Sequence, residues 1–86
     1  MSLAQLGLRA GEIVRFQRPD RSRWQPGTVR RRERDGSIRL VDGNGATRAV
    51  TVDLIEVRRD GPRGAKEWEP LAVRAARAEQ LDLLGP

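Results

Sequence analysis

Apolar residues recur at alternate positions through most of the first sixty residues, the spacing of half-buried strands. Val14 and Phe16 share one face of the Gly11–Gln17 stretch, and Ile38 and Leu40 flank the outward Arg39. Read along the chain, this pattern predicts five strands at about 11–17, 27–34, 37–42, 46–52 and 55–58. Turn chemistry separates them: Arg18–Gln25 is polar and holds Pro19, Asp35-Gly36 is a hairpin signal, and Asp42-Gly43-Asn44-Gly45 is a second tight turn. Asp53-Leu54 fits a single 3₁₀ turn. Short strands joined by glycine turns predict a mainly β meander that closes into a small five-stranded barrel over residues 8–59. Its expected core is Val14, Phe16, Val29, Ile38, Leu40, Val50, Val52, Ile55 and Val57. Leu3–Arg9 is a short apolar lead-in.

Beyond the barrel the alternation stops. Residues 60–69 read as a linker, on the composition of Asp60-Gly61-Pro62-Arg63-Gly64. Residues 70–86 read as a short C-terminal interaction tail, helical or extended. Pro70 suits the first turn of a helix, and Leu71–Glu79 is rich in Ala and Arg, both good helix formers. The apolar stripe of that helix, Leu71 with Ala72, Ala75 and Ala76, is thin.

Composition narrows the chemistry. An 86-residue chain forms one small domain, whose core leaves a net stability of roughly 3–5 kcal/mol. It holds neither cysteine nor histidine, which removes disulfides, thiolate and imidazole metal sites, and the usual general base near neutral pH. Asp35, Asp42 and Asp53 sit where turns favour Asp for backbone reasons. The glycine-rich Asp42–Gly45 segment lacks the Lys-Ser/Thr and the helix of a phosphate loop. The expectation is a non-catalytic protein with no metal, no cofactor and no small-molecule substrate. No apolar run approaches the ~18 residues of a membrane span, and the N-terminus lacks the basic and apolar regions of a signal peptide. A cytoplasmic location is expected.

Charge then divides the chain. Its net charge is +5, from 17 basic and 12 acidic residues. Residues 1–62 hold 13 Arg against 8 Asp and Glu, whereas residues 63–86 hold four of each sign. All basic residues but Lys66 are Arg. Arginine dominance has two readings, the base bias of a GC-rich genome or recognition of phosphate and carboxylate by the guanidinium fork. Genome bias does not explain the asymmetry between body and tail. Arg30, Arg31, Arg32 and Arg34 form the densest cluster, with Arg39 on the adjacent strand and Arg15, Arg48, Arg58 and Arg59 flanking the sheet. In a regular strand Arg30 and Arg32 share a face and Arg31 opposes them. These residues suit phosphate contact insensitive to sequence, or equally a solvated strand face that resists aggregation. Trp24, near Arg18, Arg21 and Arg23, either caps the open end of the barrel or stacks on a nucleic acid or partner.

Residues 10–57 also carry a family resemblance. Gly11-x-x-Val14-x-Phe16, then Trp24-x-Pro26-Gly27-Thr28-Val29, then Asp35-Gly36-Ser37-Ile38, Asp42-Gly43, Val50 and Ile55 resemble the Tudor-like members of the SH3-like barrel superfamily. The resemblance implies the barrel and, since members commonly carry an apolar residue near the position of Arg32, a bulge or early exit from the core there; because such barrels host many functions, it implies little about activity. Relatives that read methylated side chains do so through an aromatic cage. Here Arg39, Leu40 and Val41 stand where cage aromatics are common, so that activity is not expected.

The tail carries a second resemblance. Gln80-Leu81-Asp82-Leu83-Leu84 resembles the bacterial sliding-clamp-binding motif, in which an extended peptide lies in a preformed groove. The resemblance implies that Gln80 hydrogen-bonds at the groove edge, Leu81 seats in a first subsite, Asp82 stays near solvent, and Leu83 and Leu84 anchor the peptide in an apolar pocket. The competing reading docks Leu81 and Leu84 on the barrel. The sequence thus suggests a DNA-replication or repair accessory protein, its basic barrel on nucleic acid and its tail on the sliding clamp. The alternative is a protein–protein adaptor with a docked helix and no nucleic-acid role.

Overall fold

The computed structural model describes residues 2–60 and 66–84, the side chains of residues 60, 66 and 81–84 excepted. Each alternating segment forms its strand: β1 (Ile13–Phe16), β2 (Gln25–Arg32), β3 (Ile38–Asp42), β4 (Thr47–Val50) and β5 (Ile55–Asp60). The 3₁₀ turn spans Val52–Leu54. The Asp-Gly turns close their hairpins through local hydrogen bonds. Asp35 Oδ1 accepts the Ser37 N–H at 2.9 Å, and Asp42 Oδ1 accepts the N–H groups of Asn44 and Ala46 at 2.9 Å.

Among the described residues the expected five strands are six, and the expected linker supplies the extra one. Lys66–Pro70 forms β6, antiparallel to β5, with Trp68 opposite Arg58 and Glu69 opposite Val57. Residues 61–65 lie outside the described residues. Pro70 ends β6 instead of opening the helix, which begins at Leu71.

The barrel also does not close. All neighbouring strands are antiparallel, in the order β4-β3-β2-β1-β5-β6. β5 gives one edge to β1 and the other to β6. No edge of β5 is left for β4, which stays at the margin of an open sheet.

One face of this sheet holds the core. Phe16, Ile38, Leu40, Ile55, Val14, Val29 and Val57 are fully buried there, and Val50 is buried beside them. Val52, expected in the core, is half-buried against it. Gly27 lets Phe16 and Leu40 meet across β2, since a Cβ at that position would come within 3.2 Å of the Phe16 ring and 3.3 Å of Leu40. The lead-in contributes more than expected: a 3₁₀ turn at Ala4–Leu6 brings Leu6 and Leu8 into the core.

Helix α1 (Leu71–Leu84) closes the core side. Leu71 is fully buried, while Val73, on another side of the helix, is 48% exposed. Arg74 fastens the first turns. Its Nη1 donates to Glu12 Oε2 at 2.5 Å and to the Gly7 carbonyl at 3.3 Å, and its Nη2 donates to the Arg58 carbonyl at 2.5 Å. Glu69 lies buried on the core side of β6, where it accepts a hydrogen bond from Arg77 and has Arg59 and Arg74 at 3.8 Å.

Leu71→Ala is therefore expected to cost about 2–5 kcal/mol, comparable to the whole net stability of a domain this size. Val73→Ala should change stability by no more than about 0.5 kcal/mol. Urea denaturation of both variants checks the contrast.

Candidate nucleic-acid interface

The outer face of the sheet is built by strand parity. Where Val14 and Phe16 point inward, Ile13 and Arg15 point outward; where Ile55 and Val57 point inward, Glu56 and Arg58 point outward. Glu69 turns toward the core, so Trp68 emerges on the outer side opposite Arg58. Trp24, one residue before β2, arrives at the same face beside Arg15.

These residues interlock. The Arg15 guanidinium lies 4.5 Å from the Trp24 ring centroid and 4.8 Å from that of Trp68. Arg58 lies 5.3 Å from the Trp68 centroid. Arg15 is held in place by Glu56, whose Oε1 accepts from Nε at 2.7 Å and also from Nη2. Both Trp residues are half-buried, and Ile13 beside them is 61% exposed. Together with Gln25 and Pro26 they line a shallow depression open to solvent.

The loop between β1 and β2 stands next to this cluster. Gln17 Nε2 donates to the carbonyls of Arg21 at 3.3 Å and Ser22 at 2.9 Å, and Asp20 Oδ1 accepts the Ser22 N–H at 3.0 Å. The Ser22 hydrogen bonds and the nearby Arg18 charge hold the Asp20 carboxyl below its usual range. Arg21 adopts φ 60°, a left-handed conformation that costs a non-glycine residue about 1–2 kcal/mol. The turn leaves Arg18, Arg21 and Arg23 exposed.

The site residues expected from sequence do not form one cluster. Trp24 and the Arg30–Arg34 segment lie toward opposite ends of β2, roughly 20 Å apart at ~3.3 Å per residue. The bulge falls between Val29 and Arg31, earlier than expected, and reverses the parity that follows. Arg31 thus pairs with Arg39 on the outer side, and Arg32 pairs with the buried Ile38 and turns inward. Arg32 is half-buried; its Nη1 donates to Gln5 Oε1 at 3.3 Å and its Nε has no partner among the described residues. Arg30 and Arg32 therefore do not share a phosphate-facing surface. Glu33 bridges Arg31 and Arg39, and the Arg39 hydrogen bond, followed by that of Arg31, holds its carboxyl below the usual range. Arg30 and Arg34 are exposed.

Gln80–Leu84 forms the last turn of α1. The side chain of Gln80 is exposed, and those of Leu81, Asp82, Leu83 and Leu84 lie outside the described residues. Among the described residues no group of three acidic side chains could hold a metal ion, and no helix is long and apolar enough to cross a membrane.

Trp68 is the residue that the sequence left without a role in the site, while Arg15 and Arg58 were expected only to flank the basic sheet face. The signal for Trp68 was present in Lys66-Glu67-Trp68-Glu69-Pro70, where period two sets Lys66, Trp68 and Pro70 on one side. No family model, curated protein or solved structure matches the chain.

Arg15→Met removes two cation–π contacts and leaves Glu56 half-buried without its partner. The expected loss is about 1–3 kcal/mol. Arg15→Lys, which keeps the charge without the planar fork, should lose less. Denaturant titration followed by tryptophan fluorescence measures both.

Proposed function

We propose that this protein is a non-catalytic nucleic-acid-binding module that engages the phosphate backbone without regard to sequence. The observation that carries the reading is the interleaving of Trp24, Arg15, Trp68 and Arg58 on one solvent-facing surface. Guanidinium groups there are already oriented by carboxylate and ring contacts, so less side-chain entropy is lost on meeting a phosphate. Exposed Arg18 and Arg23 extend the positive surface past Trp24, with Arg21 beside them paired to Asp53 at 3.6 Å, and the net charge of +5 favours encounter with a polyanion. This surface, more than the Arg30–Arg34 hairpin, is the proposed contact face, because both tryptophans lie beside the exposed Arg18 and Arg23 there, whereas the hairpin has no aromatic ring and its Arg32 turns inward.

The tether to a sliding clamp rests on the Gln80–Leu84 pattern. In that reading the last turn of α1 unwinds, because the groove takes an extended peptide. The adaptor alternative is favoured by a different observation, the exposed helix side of Ala72, Val73 and Ala76.

Binding to DNA or RNA should fall steeply with salt, as counterion release requires. Arg18→Glu with Arg23→Glu should weaken it at least about tenfold without lowering stability by more than ~0.5 kcal/mol. Absence of binding to either nucleic acid at about 50 mM salt would count against the reading. For the tail, Leu83→Ala with Leu84→Ala should abolish clamp binding and leave the melting temperature unchanged. A lowered melting temperature with no clamp affinity would instead identify those leucines as docking residues.

A further inference from the structure

We infer that the Trp24–Arg15–Trp68 stack is a base-stacking platform, so that the nucleic acid this face takes is single-stranded. The inference rests on the nucleic-acid reading above and adds to it the form of the ligand.

Electrostatics alone does not favour a single strand. A duplex carries the denser phosphate charge and releases more counterions per neutralised phosphate, so a purely cationic face binds duplex at least as well. The aromatic groups reverse this preference. A tryptophan ring gains most from the flat face of a base, and every base has one, but a duplex hides its base faces within the stack. Two half-buried rings on the outer side of a sheet can reach those faces only where bases are unpaired.

The geometry is prepared for such contact. Trp24 and Trp68 come from opposite sides of β1, and one guanidinium, that of Arg15, lies within 4.8 Å of both ring centroids. Glu56 pins that guanidinium through two of its N–H groups, so the spacing of the rings is set before any ligand arrives. Ile13, 61% exposed in the same depression, adds apolar surface for a sugar or base edge. Arg58, over Trp68, and the exposed Arg23, next to Trp24, are placed for the phosphates that flank a stacked base. Duplex readers insert a helix or ribbon into a groove. Here α1 packs on the core side, and the outer face presents a shallow depression.

The test is fluorescence anisotropy of the intact protein with a labelled thymidine-rich strand of about 20 nucleotides and with the duplex of the same sequence, at about 100 mM salt. Single strand should bind at least about tenfold tighter than duplex and should quench the tryptophan emission. Trp68→Ala should reduce single-strand affinity about tenfold and duplex affinity by less, narrowing the preference for single strand, while Trp68→Phe should retain most of it. If Trp68→Ala does not fold, the wild-type preference and quenching with the Trp68→Phe variant decide the matter. Equal or tighter duplex binding without quenching overturns the platform and leaves a backbone-only binder. No binding of either form overturns the nucleic-acid reading itself.

Discussion

The Glu69 carboxylate is the interaction on which the arrangement of this molecule turns. It is 7% exposed, on the core side of β6, and it is satisfied there by guanidinium groups of α1 and β5. A buried carboxylate left without such partners would cost several kcal/mol. The network therefore fixes which side of β6 faces inward. Because side chains alternate along a strand, that choice sends Trp68 outward, beside Arg15. One ion network thus docks the helix and assembles the aromatic face on the other side of the sheet.

A second constraint acts at β2. The bulge between Val29 and Arg31 absorbs one residue and changes which arginines meet solvent together. Arg31 joins Arg39 over Glu33, and Arg32 goes toward the lead-in and Gln5. The basic residues are consequently distributed between a partly neutralised hairpin and a loop whose arginines, Arg18 and Arg23 among them, are exposed. The proposed contact surface lies at the loop end because the tryptophans and the exposed arginines coincide there.

The elements governed by local rules were legible in the sequence. Alternation located five strands, and Asp-Gly and Gly-Asn-Gly turns located their hairpins, since both depend on near neighbours. The buried residues of those strands followed from the same parity. β6 was not legible, and its pattern explains why. It puts a carboxylate inward and an aromatic outward, the inverse of the usual hydropathy rule, and it follows the Gly61-Pro62-Arg63-Gly64 stretch that signals a linker. The compensation for Glu69 comes from Arg59, Arg74 and Arg77, distributed over two other elements. The open sheet was missed for the same reason, because β6 occupies the strand edge that closure would need. At the site, Trp24 and the loop arginines could be read locally, whereas Arg15 and Trp68 meet only through the pairing of β1, β5 and β6.

The central claim is that one face of the sheet, centred on the two tryptophans, is where nucleic acid binds. The most direct measurement is the nitrogen–proton correlation spectrum of the labelled protein during titration with an unlabelled single-stranded oligonucleotide. The indole Nε1–H signals of Trp24 and Trp68 and the Nε–H of Arg15 should shift together, with one apparent dissociation constant, while the amides of Arg30–Arg34 and of α1 stay in place. Indole signals that remain fixed while shifts gather on the Arg30–Arg34 hairpin or on α1 would contradict it.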